Sequence, residues 1–215
     1  MNCQVPFADK VKNLGVFLDS ILSFDVHISH ICRSLYLQLR RIGQIQPYLS
    51  IDSTKKLAVA FILSRLDYCN AALAGIPDEK IAKLQRIQNS AARLVLCKSK
   101  RDSATALLRT LRWLPVNARI KYKVATLCHQ CIHNEEMPLY LTELITEYVP
   151  QISLRSMDSS LLVVPRFNLK TYDMRAFSVH GPKVWSSLPI ELRQTTCFTT
   201  FTKNIKTYLF KTYLG

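Results

Sequence analysis

The chain reads as a mainly α, multi-helix bundle. It has a short N-terminal strand segment and an irregular C-terminal third that ends in a basic amphipathic helix. Three observations predict this. Apolar residues recur at helical spacing from Asp25 onward. Only residues 1–24 and 161–164 look extended. After Pro150 the periodicity gives way to turn residues and isolated aromatics until Phe198. These shifts divide the chain into a strand segment over 1–24, a helical domain over 25–150 and a C-terminal region over 151–215.

In the first segment Val11, Leu14, Val16 and Leu18 form an apolar stretch broken by Gly15. It has strand character, but few partner strands are available, so it is expected to remain unpaired. Ile28, Ile31, Cys32, Leu35, Leu39 and Ile42 then line one helical face, which ends near Gly43 and Pro47. Ser50 or Asp52 can cap the next helix, which carries Leu57, Ala60, Phe61 and Leu63 toward Tyr68; Gly75-Ile76-Pro77 breaks the chain. Asp78 is the expected cap of a third helix with Ile81, Leu84, Ile87, Ala91, Leu94 and Val95 inward. A short helix over 104–111 follows Ser103. Pro115 makes Trp113-Leu114-Pro115 a turn. A fifth helix from Asn117 turns Ile120, Val124, Leu127, Cys128 and Cys131 inward, and a small one spans 139–145. In the last third, residues 161–164 are too few for more than an edge strand. His180-Gly181-Pro182 reads as irregular packing around Trp185. Helical spacing returns with Phe198, Phe201, Ile205, Tyr208 and Leu209, opposite Lys203, Lys206 and Lys211.

With 215 residues, 48% of them hydrophobic, the chain can bury a sizeable core. Lys and Arg number 29 against 15 Asp and Glu, a formal charge of +14, which favours a polyanionic partner. Seven scattered cysteines read as reduced thiols, not as a disulfide framework. No leader-like segment and no long apolar run stands out, so the expected location is intracellular, cytoplasmic or nuclear, with no membrane partner.

The chemistry-bearing patterns are sparse. Phe7-Ala8-Asp9-Lys10 superficially matches the aromatic-Ala-Asp-Asp turn of a polymerase. Lys10 takes the place of the second acid, and adjacent acids are needed to hold two metal ions about 3.5–4 Å apart. No Asp-Asp pair occurs in the chain. Cys128, Cys131, His129 and His133 have metal-like spacing but split between two sides of a helix, so the expectation is buried cysteines and exposed histidines, with no metal. No His-x-Asp pair for an iron oxygenase, no Gly-rich phosphate loop and no nucleophile elbow is present. No cofactor and no small-molecule substrate are therefore expected. The third helix offers Gln85, Arg86, Gln88, Asn89 and Arg93, donors that can grip phosphates and base edges, or else tie neighbouring helices together. Trp113 and Trp185 sit beside prolines and are expected to anchor the core instead of stacking on bases.

Four signatures occur in order: Leu14-Gly15-Val16-Phe17-Leu18-Asp19, Ser64-Arg65-Leu66-Asp67-Tyr68-Cys69-Asn70, the run Leu84-Gln85-Arg86-Ile87-Gln88-Asn89-Ser90-Ala91-Ala92-Arg93-Leu94, and Trp113-Leu114-Pro115-Val116. Together they resemble the thumb and post-thumb region of a LINE-type (non-LTR) retrotransposon reverse transcriptase. Leu154-Arg155-Ser156, Val164-Pro165, Arg175-Ala176-Phe177 and Trp185-Ser186-Ser187-Leu188-Pro189 extend the resemblance toward Leu209. It implies that Leu14, Gly15 and Val16 are a remnant of the polymerase palm near the primer strand. It also implies a thumb-like bundle that holds a template–primer duplex by its backbone. Arg65, Lys83, Arg86 and Arg93, joined by Gln88 of the same helix face, are the expected nucleic-acid contacts.

The metal-binding aspartates of that family have no counterpart here. The expectation is a catalytically incomplete reverse transcriptase fragment, not an enzyme as it stands, with residual RNA or DNA affinity. A separate polymerase palm is a conceivable partner. The alternative from another class is a helical protein-interaction module with no nucleic-acid role.

Overall fold

The computed structural model describes residues 8–134, 136–148, 160–166 and 173–215. It is mainly helical with one two-stranded sheet among the described residues, as the apolar spacing predicts. The chain divides into two compact units, Met1–Cys69 with Ile76–Leu107, and Asn70–Gly75 with Leu108–Gly215. This partition differs from boundaries at 24 and 150, because side-chain packing ties the strand segment to the first long helix.

The first unit opens with a hairpin. Strand β1 (Lys10–Asn13) pairs antiparallel with β2 (Val16–Asp19), in the register Lys10 to Asp19 and Asn13 to Val16. The segment expected to lack a partner thus pairs with itself. The two-residue turn is Leu14-Gly15, with φ of 45° and 84°. Two left-handed residues match the strand twist of a tight hairpin, and glycine meets that demand freely where leucine does not. Beyond β2, the Asp19 carboxylate accepts from the Ser23 N–H at 2.7 Å, the Ser23 hydroxyl at 2.9 Å and the Phe24 N–H at 3.1 Å. These bonds turn the chain into α1 (Asp25–Ile45).

Helix α1 buries Ile28, Leu35, Leu39 and Ile42. It runs straight past Gly43, whose face lies against Leu94, and tightens into a 3-10 turn containing Pro47. Ser50 caps α2 (Ile51–Ala58), its hydroxyl accepting from the Ser53 N–H at 3.1 Å. A π turn over Val59–Leu63 joins α2 to α3 (Ser64–Asp67), and the Ser64 hydroxyl donates to the Ala60 carbonyl. Helix α4 (Asp78–Val95) packs Leu84, Ile87, Ala91, Ala92 and Val95 inward. Pro77, not Asp78, holds the cap position. Asp78 and Glu79 instead sit in the first turn, where their charge complements the helix dipole. Helix α5 (Ala104–Leu111) has the bounds its spacing predicts.

In the second unit α6 (Val116–His133) starts directly after Pro115. Helix α7 is short (Leu139–Thr142), and Glu147 bridges Leu162 in place of a longer strand. Residues 180–182 are not irregular. They lie inside α8 (Phe177–Ser186), which carries Pro182 within its length. Gly181 lets this helix lie close to α6: a Cβ there would stand 3.0 Å from the Cys128 Sγ and 3.3 Å from Phe177. A short helix, α9 (Ile190–Arg193), precedes α10 (Phe198–Leu214). Trp185 and Phe201 are fully buried, 5.7 Å apart between ring centres, and the Trp185 indole N–H donates to the Ser160 carbonyl at 2.7 Å. The Arg109 guanidinium donates to the carbonyls of Leu214 and Gly215, fastening the end of α10.

Replacing Gly181 by leucine should force α8 off α6 and destabilise the second unit by about 1–3 kcal/mol. A lower urea midpoint, followed by the fluorescence of buried Trp113 and Trp185, is the expected reading.

Candidate functional site

A cleft in the first unit gathers several residues of interest. It encloses about 470 Å³ and is lined by Lys12, Leu14 and Gly15 of the hairpin, by His27, His30, Ile31 and Ser34 of α1, and by Ser64 and Arg65 of α3 with Tyr68 just after it. Two hydrogen bonds fix its walls. The Tyr68 hydroxyl donates to the Leu14 carbonyl at 2.6 Å, and the Phe17 N–H donates to the His27 Nδ1 at 3.4 Å. Arg65 donates through Nη1 to the Ser34 hydroxyl at 3.1 Å. The His30 ring rests against Phe17, 4.9 Å between centres, and the Lys12 ammonium stands 5.6 Å from the Phe17 ring centre. The lining contains no Asp or Glu.

The residues singled out from the sequence separate into three groups. Leu14, Gly15 and Arg65 meet in this cleft. Val16 does not take part, because it is buried beneath the hairpin. Lys83 and Arg86 are exposed on α4. They bear on Cys32 of α1, whose thiol burial pushes up while these two cations pull it back. Lys83 and Arg86 do not line the cleft that holds Arg65. The third group is structural. Gln88 is fully buried, and Gln85 donates to the Gln88 Oε1 at 2.9 Å and the Asn89 Oδ1 at 2.8 Å. Half-buried Arg93 donates to the Asp102 carbonyl at 3.2 Å and so braces the loop after α4. Neither Gln88 nor Arg93 is placed to serve as an open contact.

The metal-like cluster on α6 also differs from expectation. Cys128 is buried and His133 exposed, but His129 is buried too. Its Nε2 lies 2.8 Å from the Thr195 carbonyl, and its ring stacks on Phe201 at 4.3 Å. Phe201 belongs to a distant helix, so spacing within α6 could not reveal this stack. Among the described residues no three His, Cys, Asp or Glu side chains converge on a point that could hold a metal ion. Trp113 and Trp185 are buried core anchors and offer no ring to a base. Lys12, His30 and Tyr68 were missed in the sequence because only the hairpin closure brings them together. Exposed Cys197 was missed as well. A hydrogen bond with the Thr199 hydroxyl and others at the start of α10 lower its thiol pKa to about 6.

No protein-family model, curated protein or solved structure matches the chain. Among the described residues, no helix is long and apolar enough to cross a membrane.

Two predictions follow from the cleft's walls. Asparagine tolerates the left-handed region better than leucine, so Leu14→Asn should stabilise the hairpin by about 1 kcal/mol. Slower amide hydrogen exchange in β1 and β2 would register the gain. His27 is the second test. Burial, with a smaller push from His30, lowers its pKa below the ordinary 6.5. The unfolded chain thus takes up the proton first, and the contribution of neutral His27 is full above pH 6.5. It is lost as pH falls through the folded value. Proton titration followed by NMR should place the His27 transition below that of an unfolded reference peptide. His27→Gln should flatten the acid side of the stability profile.

Proposed function

We propose that the chain is the thumb-side part of a non-LTR retrotransposon reverse transcriptase, and that it holds RNA or DNA by the backbone without itself adding nucleotides. Four ordered signatures support this reading. The observation that carries it is that Leu14, Gly15 and Arg65, which the resemblance marks and which lie far apart in sequence, line one cleft with Lys12 and with no acid in its wall. Cations in an acid-free recess attract phosphate, and an arginine with one of its five donors engaged keeps others available. Lys83 and Arg86, exposed on α4 outside the cleft, offer a separate contact.

A second reading, a helical protein-interaction module, has its own support. Leu37, Ile51, Phe61 and especially Tyr48 are exposed in the first unit, and exposed apolar side chains favour protein contacts when they are contiguous.

Binding to a short RNA–DNA duplex at increasing salt separates the two. Phosphate contact requires the logarithm of the association constant to fall linearly with the logarithm of salt concentration. Arg65→Ala should reduce that slope by about 1. Absence of any duplex binding at about 50 mM salt would remove the nucleic-acid reading and leave the interaction module.

A further inference from the structure

We infer that the cleft between the hairpin, α1 and α3 takes a single unpaired nucleotide, with its phosphate between Lys12 and Arg65 and its base against the rings of Tyr68 and His30. This inference rests on the nucleic-acid reading and makes it more specific.

Shape is the first argument. The cleft encloses about 470 Å³, within the roughly 300–1,000 Å³ range of small-ligand sites. A duplex is a convex rod whose paired bases are stacked inside it. It can lie across the mouth of such a recess, but only a nucleotide free of pairing can enter.

Chemistry supplies the second argument. Stacking requires a π-face that is both presented and held. Tyr68 is 53% exposed, and its hydroxyl is committed to the Leu14 carbonyl. The ring is therefore held in place while about half of the residue stays exposed. His30 is exposed and backed by Phe17. Apolar Ile31 completes the floor. Among the described residues no carboxylate pairs with Lys12 or Arg65. The lining thus holds rings for a base and cations for a phosphate, side by side.

Backbone strain is the third. Leu14 is 83% exposed and sits at φ 45°. A leucine held in the left-handed region at the cleft's lip is strained, and such strain concentrates where a ligand is gripped. Its side chain, out in solvent, gains nothing from the core.

The experiment uses the full chain with two probes: a blunt RNA–DNA duplex, and the same duplex with one unpaired 2-aminopurine nucleotide at its end. The expected result is at least tenfold tighter binding of the second, with the 2-aminopurine fluorescence quenched by stacking. Tyr68→Ala and His30→Ala should each bring the affinity ratio toward one. Tyr68→Phe, which keeps the ring but loses its tether to Leu14, should fall between the wild type and Tyr68→Ala in both ratio and quench, and circular dichroism of each variant confirms that it is folded. Equal affinity for the two probes, with no quench, would overturn this inference while duplex binding itself stood. Failure to bind either probe would overturn both this inference and the function it rests on.

Discussion

Helix α1 is committed on two sides at once, and the first unit depends on that. One side is sealed against α4 by Ile28, Leu35, Leu84, Ile87, Ala91 and Val95, none more than 1% exposed. The other carries His27, His30, Ile31 and Ser34, which receive the hairpin and the end of α3. The apolar seam fixes where the helix lies. Only then can the hairpin and the α3 segment meet across its other side without a core of their own. A hairpin of two four-residue strands is marginal by itself. It holds here because Val16 is buried beneath it, His27 accepts from Phe17 and Tyr68 donates to Leu14.

The helices were legible because their information is local. Residues three and four apart must share a face, so the bounds of α5 and most inner residues of α1 and α4 could be read directly, although Ile31, Cys32, Ile81 and Leu94 are only half-buried. What stayed hidden depended on contacts between distant segments, or on local rules that were broken. The Leu14-Gly15 turn carries only one of the two residues that normally announce a tight hairpin, and so the strand looked unpaired. Gly181 and Pro182 signal a break, yet α8 continues through them because Gly181 is needed for close approach to Cys128. Gln88 shows the same limit at the site. An amide on an amphipathic helix looks like a surface donor until its actual position, on the buried side beside Ile87 and Ala91, is known.

Charge was the least informative property taken as a sum. A formal +14 says nothing about where cations are free to act. Arg93 is drawn into bracing a loop and Arg109 into closing the end of α10. Lys80 pairs with Asp25 at 3.0 Å and donates to the Ser23 carbonyl. Each of these positive groups does structural work by satisfying carbonyls or a carboxylate. Of the cations singled out for nucleic acid, Arg65 lines the cleft while Lys83 and Arg86 stand on α4 outside it, so they do not act there together.

The same separation bears on what kind of activity the proposed reading allows. Nucleotide addition with two metal ions requires carboxylates gathered at a few ångströms, so that their charge offsets that of the cations. The cleft is built in the opposite sense: Lys12 and Arg65 share it with two imidazoles and no acid. A divalent cation entering there would meet like charge on both sides, whereas a phosphate would be neutralised. Under the proposed reading the cleft therefore grips and positions a strand, and any polymerising centre must be built from carboxylates elsewhere.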